Sequence, residues 1–163
     1  MDIHEVRQKE IEAVSAFLHK TMTEVYPFPL SLASLRDLSE MENLFLIPSR
    51  TTMIAAFLDG EVVGTIAVRP YDGRITLLDK RYHLATTCEI IKCYVKQDLR
   101  QQGIGSRLFQ QARSFCKKAA YSMMYLHTHR FLPGGLSFWE KQGFSLIVDE
   151  QGDLETVHLE QKV

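Results

Sequence analysis

Apolar residues at Ile11, Val14, Phe17, Leu18, Met22 and Val25 recur every three or four positions. That spacing lines one helix face and predicts an amphipathic helix of about four turns. Tyr26-Pro27-Phe28-Pro29 ends it, because proline lacks a donor and restricts the residue before it. Ser31 or Ser34 can cap a second helix carrying Leu35, Leu38 and Met41. The pattern then turns β-rich. Ile3 to Arg7 reads as a short first strand, while Thr51 to Leu58 and Glu61 to Val68 are strands joined by Asp59-Gly60, a two-residue hairpin turn.

Pro70-Tyr71-Asp72-Gly73 reads as a turn, and Arg74 to Thr87 as a loop with short strand pieces. Glu89 to Val95 is an apolar strand. A helix with Leu108, Phe109, Ala112, Phe115 and Cys116 along one face comes after it, then a strand from Met123 to His127. A helix from about Gly135 to Gln142 ends at Gly143, and Phe144 to Val148 and Thr156 to Leu159 close the chain as strands. The order β-α-α-β-β-β-α-β-α-β-β predicts one mixed α/β domain over residues 1–163. Its twisted, mostly antiparallel sheet would have about six or seven strands, flanked on both faces by about four helices.

With 163 residues, 45% of them hydrophobic and 24% charged, the chain can bury one substantial core. A net charge of −1 argues against a general nucleic-acid binder, whose domain is visibly basic. Cys88, Cys93 and Cys116 are odd in number and lack a Cys-x-x-Cys, which fits reduced thiols. No secretory leader and no apolar run of bilayer length stands out, so the expected location is cytoplasmic, with no membrane partner. Monomer and homodimer both stay open.

The candidate chemistry centres on Arg100-Gln101-Gln102-Gly103-Ile104-Gly105-Ser106, where the strand runs into a glycine turn and then a helix start. Unpaired helix N–H groups, the positive end of the dipole and glycines that admit close approach make this an anion site. Lys96, Arg100 and Arg107 add positive charge. It is not a P-loop, since one residue separates Gly103 from Gly105 and no Lys-Ser/Thr follows. It is not the dinucleotide fingerprint either, since Leu108 stands where a third small residue is needed.

The remaining pattern, Arg/Gln-x-x-Gly-x-Gly after a strand, resembles the acetyl-CoA signature of the GNAT N-acetyltransferase superfamily. A second stretch extends the likeness: Phe138-Trp139-Glu140-Lys141-Gln142-Gly143-Phe144 is similar to the family's helix end. The match covers roughly Glu89 to Val148. The resemblance implies a GNAT-like fold and acetyl-CoA as cosubstrate without a metal. It also implies direct transfer of an acetyl group to a primary amine of a small molecule or peptide. By the same resemblance Tyr94, Val95 and Lys96 pair with the pantetheine, Arg100 to Ser106 hold the pyrophosphate, and Trp139 borders the cofactor. The alternative is a GNAT-like module that binds CoA without transferring an acyl group.

A lysine-like amine, with a pKa of about 10.4, needs a base. Glu89 matches the strand glutamate that serves as base in some members, provided its pKa is raised or water relays the proton. Strict strand alternation puts Glu89, Ile91, Cys93 and Val95 on one face, a carboxylate near a thiol. Cys93 is therefore a candidate nucleophile, with a small buried strand residue as the plainer reading. His127 and His129, two apart at a strand end, can serve as proton relay and substrate contact. Tyr26, Phe28 and Tyr71 are further acceptor-facing candidates, along with Arg69, Asp72 and Arg74. In two places the chain departs from the family. Trp139 stands where many members carry a tyrosine acid, and indole cannot deliver a proton at neutral pH. Leu132 to Gly135 lack the usual cofactor-contacting asparagine.

Overall fold

A computed structural model describes all of residues 1–163. One seven-stranded sheet runs β1 (Asp2–Glu5), β2 (Thr52–Leu58), β3 (Glu61–Pro70), β4 (Thr87–Val95), β5 (Met123–His129), β7 (Thr156–Lys162), β6 (Ser145–Asp149). All neighbours are antiparallel except β4 and β5. The helices are α1 (Ile11–Val25), α2 (Leu32–Ser39), α3 (Ile104–Lys118) and α4 (Gly135–Lys141).

Each element follows from its residues. In α1, Val14, Leu18 and Met22 are buried at helical spacing, and the helix stops at Tyr26 before Pro27. Ser31 caps α2, its hydroxyl accepting from the Ser34 amide at 3.1 Å. Asp59 and Gly60 both take positive φ, 51° and 85°, which is the backbone that a tight β2–β3 hairpin requires. In α3 the buried stripe is Ile104, Leu108, Phe109, Ala112 and Cys116, and Lys117 and Lys118 meet the negative end of its dipole.

Two regions differ from the expectation. The chain from Thr76 to Leu78 and from Leu84 to Thr86 forms 3₁₀ turns rather than strand pieces. The segment instead folds over Tyr71 and Tyr125, with Leu78 buried among them. A π-helical turn at Glu42–Leu46, which periodicity does not signal, places Phe45 in the core.

Alternate residues of the sheet face two cores. On the α3/α4 side Ile54, Ile66, Cys88, Ile90, Leu126 and Leu159 pack under Leu108, Phe109 and Trp139. On the α1/α2 side Met53, Ala55 and Ala67 pack under Val14, Leu18, Met22 and Met41. Tyr71, Leu78 and Tyr125 form a smaller cluster beneath the 71–86 segment.

Candidate active site at the split in the sheet

The pairing of β4 with β5 stops early. Only Thr87, Cys88 and Glu89 lie opposite β5 residues, Met123 to Tyr125, and beyond them the parallel pair comes apart. On its other edge β4 stays paired with β3, but with one extra residue: Thr65 and Ala67 sit opposite Tyr94 and Ile91. Lys92 absorbs the surplus at φ 54°, and Thr65 Oγ1 donates to its carbonyl at 2.8 Å. This is a β-bulge, which bends a strand and resets its alternation.

The bulge corrects the face assignment made from strict alternation. Ile91 and Tyr94 now share the α1/α2 face, while Cys93 and Val95 pack with the α3/α4 core. Cys93 is thus on the opposite face from Ile91 and Glu89. Burial also pushes its thiol up to about 12, so it stays protonated at neutral pH. Cys93 still borders the cavity in the split, but a thiol held protonated there is a poor nucleophile. The plainer reading, a strand residue packed against the α3/α4 core, is favoured, with Cys93 half-buried.

A cavity of about 280 Å³ occupies the split. Glu89 lies beside it, fully buried, with both oxygens held. Arg74 donates to Oε1 at 2.6 Å and to Oε2 at 2.9 Å, and Arg69 Nε donates to Oε2 at 3.0 Å. Burial alone would raise this carboxyl's pKa. The Arg74 hydrogen bonds and the charges of Arg69, Arg74 and His127 outweigh it, and the carboxyl sits below its usual 4.5. The raised pKa that direct proton abstraction by Glu89 requires is absent.

His127 lines the cavity with Nδ1 3.7 Å from Glu89 Oε1, and that nitrogen has no hydrogen-bond partner. Burial pulls its pKa down to about 4, against the opposing pull of Glu89, so the imidazole is neutral at pH 7. His129 follows on the same face, its ring centroid 5.9 Å from that of His127 and its Nδ1 2.8 Å from the Leu154 carbonyl.

Tyr26, Phe28 and His129 pack together, and Phe131 joins them. His129 stacks on Phe131 at 5.0 Å, and Tyr26 meets Phe28 at 5.5 Å. Phe131 sits in a loop after β5, outside any periodic pattern, so its partners only appear in three dimensions. Tyr26 and Tyr94 hydroxyls lie 3.1 Å apart at the cavity wall. Tyr71 does not belong here: it is 3% exposed, packed on Tyr82 and Tyr125, and its hydroxyl accepts from the Ile75 amide. The assignment of Tyr71 to the acceptor is corrected to the core. The alternation put it after a strand end, but the 71–86 segment folds back over it.

The glycine turn closes the other end of β4. Gln101 and Gly103 take positive φ, 62° and 83°, and α3 begins at Ile104. The first main-chain bond of the helix is from Arg107 to the Gly103 carbonyl, so the amides from 101 to 106 donate to no protein group. The two glycines have different reasons. Gly103 faces open space and is set by its backbone, whereas a Cβ at Gly105 would fall 3.1 Å from the Phe138 ring. Arg100 folds back, its Nε donating to the Val95 carbonyl at 3.1 Å. Ser106 accepts from Gln142 at 3.0 Å, tying α3 to α4.

The pantetheine-pairing residues divide by their main-chain direction. The Lys96 amide donates to Val63 on the β3 side and is not free for a ligand. Main-chain groups alternate along a strand, so the Val95 amide points toward the split. The Lys96 amide is therefore corrected to a structural donor, while the Val95 amide is left facing the split. Trp139 is 6% exposed, wedged against Phe109, Phe138 and Phe144, with one edge on the cavity. The free amides at the start of α3 fit a diphosphate-bearing cosubstrate.

Comparison with known proteins agrees with this geometry. Residues 15–144 match the model of the acetyltransferase (GNAT) family. The chain is 27% identical over 111 residues to probable N-acetyltransferase camello of Xenopus laevis, covering 66% of this chain and 45% of that protein. It therefore spans less than half the length of the curated relatives it matches. Among solved structures it superposes on a GNAT-family acetyltransferase from Staphylococcus aureus Mu50 with a TM-score of 0.80. That alignment has 18% identity and covers 99% and 98% of the two chains. The PaiA N-acetyltransferase of Thermoplasma acidophilum, in complex with coenzyme A, gives 0.69 at 20% identity with both chains fully covered. Since the family model spans most of its length, from within α1 to the turn after α4, the chain belongs to the acetyltransferase (GNAT) family.

Proposed function

We propose that the chain transfers an acetyl group from acetyl-CoA directly to a primary amine of a small molecule or peptide. The observation that carries this reading is the run of unpaired amides from 101 to 106, at the end of a strand that separates from its neighbour beside a half-buried histidine and a buried carboxylate. Six free N–H groups at a helix start favour a diphosphate. The cosubstrate supplies an activated acyl group, and the Val95 amide is placed to polarise its carbonyl.

Proton handling falls to His127. Its neutral imidazole is a weak base, with a pKa of about 4, and takes the proton once attack on the thioester has made the amine nitrogen acidic; the Glu89 carboxylate 3.7 Å away stabilises the imidazolium, with the two arginines fixing Glu89. Glu89 thus acts through His127, and a water between Glu89 and the amine is the competing route. The imidazolium can return the proton to the departing sulfur, which supplies the acid that Trp139 cannot be. A thiol pKa of about 8.5 makes that sulfur a fair leaving group even without help. Three unpaired cysteines support a cytoplasmic setting.

Calorimetry with CoA and a thiol-release assay over a panel of amines test the proposal. CoA affinity with release that depends on an added amine is the expected result. Affinity without turnover for any amine would leave a CoA-binding module in its place.

A further inference from the structure

Arg69 has donors that neither the fold nor the proposed proton path uses. Its Nε is committed to Glu89 at 3.0 Å, and one terminal nitrogen lies 3.7 Å from Asp37, beyond hydrogen-bond reach. The other terminal nitrogen donates to no protein group, so the end of the guanidinium fork is open where Arg69 lines the cavity.

The remaining charges around the cavity are already satisfied. Arg74 is spent on Glu89 and Asp72, and Lys92 pairs with Asp37 at 2.9 Å. Asp37 is the only carboxylate lining the cavity, with Glu89 beside it and Asp72 behind Arg74, and all three are held by cations. No acidic group is left to receive a bare alkylammonium. His127 is neutral and adds no negative charge.

We infer that the acceptor is an amine that carries a carboxylate, and that Arg69 binds that carboxylate; the inference rests on the acetyltransferase reading of the same cavity. A planar fork with open N–H groups matches a carboxylate in two-point geometry, whereas a simple amine would leave that fork unpaired. An acceptor bearing its own carboxylate brings the missing counter-charge. The cluster of Tyr26, Phe28, His129 and Phe131 takes the apolar remainder, with Phe28 38% exposed and available to it. At about 280 Å³ the cavity is at the small end of ligand pockets, which suits a molecule of amino-acid size.

The test uses matched pairs, each an amino acid and the amine left when its carboxylate is removed: phenylalanine with phenethylamine, tyrosine with tyramine, leucine with isoamylamine. Thiol release is measured for the intact chain, for Arg69→Gln and for Arg69→Lys, with CoA affinity by calorimetry on each. The carboxylated member is expected to have the higher kcat/KM by about tenfold or more, the size of a lost charge-assisted hydrogen bond. In Arg69→Gln that ratio falls toward one. Any disturbance passed through Glu89 affects both members alike and cancels. Arg69→Lys keeps the charge toward Glu89 but removes the fork, and gives the same collapse should the first variant fold poorly. A ratio near or below one in the intact chain, or a ratio untouched in both variants, overturns the inference. So does CoA binding with no turnover of any carboxylated amine, while loss of CoA binding by the intact chain would remove the acetyltransferase reading beneath it.

Discussion

Replacing Glu89 by Gln tests the site's electrostatics before its chemistry. The carboxylate is fully buried and accepts three hydrogen bonds from two guanidiniums, at 2.6, 2.9 and 3.0 Å. An amide keeps one acceptor oxygen but brings an NH₂ against arginine donors, and both cations lose their buried counter-charge, keeping only Asp72 beside Arg74 and Asp37 beside Arg69. Removing one partner of a buried ion pair costs about 3–5 kcal/mol. Arg69 and Arg74 are 30% and 35% exposed and recover some hydration, so the lower end, about 3 kcal/mol, is the expectation. For a chain of this size that is a fall in Tm of about 6–12 °C. Urea denaturation at pH 7 measures it. The pH dependence has a definite sign. The folded pKa of Glu89 is depressed, so its contribution is fully present above the unfolded value of about 4.3 and fades as pH falls through the lower folded pKa. The gap between wild type and variant should narrow in that window. A loss below about 1 kcal/mol at pH 7, comparable to an exposed pair, would refute the view that this carboxylate carries the local charge balance.

Three further outcomes follow from the geometry. Gly103→Val and Gly105→Val should each abolish measurable CoA affinity, the first by forcing a β-branched residue to φ 83° and the second by crowding the Phe138 ring; retained affinity in calorimetry would remove the phosphate-turn assignment. His127→Gln should lower kcat by about 10²-fold or more with CoA affinity intact. Its folded pKa of about 4 lies below the unfolded value, so wild type should lose stability as pH drops from about 6.5 toward 4. Denaturation of the histidine variant, which lacks that slope, checks the sign. Cys93→Ser should keep acetyl transfer within about threefold, since a thiol held protonated by burial takes no part; total loss of thiol release with the fold preserved would restore the acyl-enzyme route.

Much of the scaffold was legible along the chain because its signals are local. The 3.6-residue stripe of α1 and α3, the Asp59-Gly60 hairpin and the proline stop after Tyr26 each depend on residues a few positions apart. The glycine turn was legible for the same reason. Gly103 needs a positive φ and the helix start leaves its amides open, whatever lies beyond. The same local reasoning failed at Lys92. Lysine gives no signal for a bulge, and the surplus residue exists only relative to the register of β3. That one residue moved Cys93 to the opposite face.

The amino-acid order by itself determined the succession of strands and helices, the glycine turn before α3 and the family to which it points. Only the tertiary structure decided what the polar residues do. Arg69 and Arg74 reach Glu89 from 20 and 15 residues away, and His127 comes to it from a strand that pairs with β4 for only three residues. Propensity and hydrogen-bonded turns act between near neighbours, whereas protonation state depends on burial and on whichever charges the folded chain gathers. Glu89 therefore reads in the sequence as a base with a raised pKa, and stands in the fold as an anion locked between two arginines.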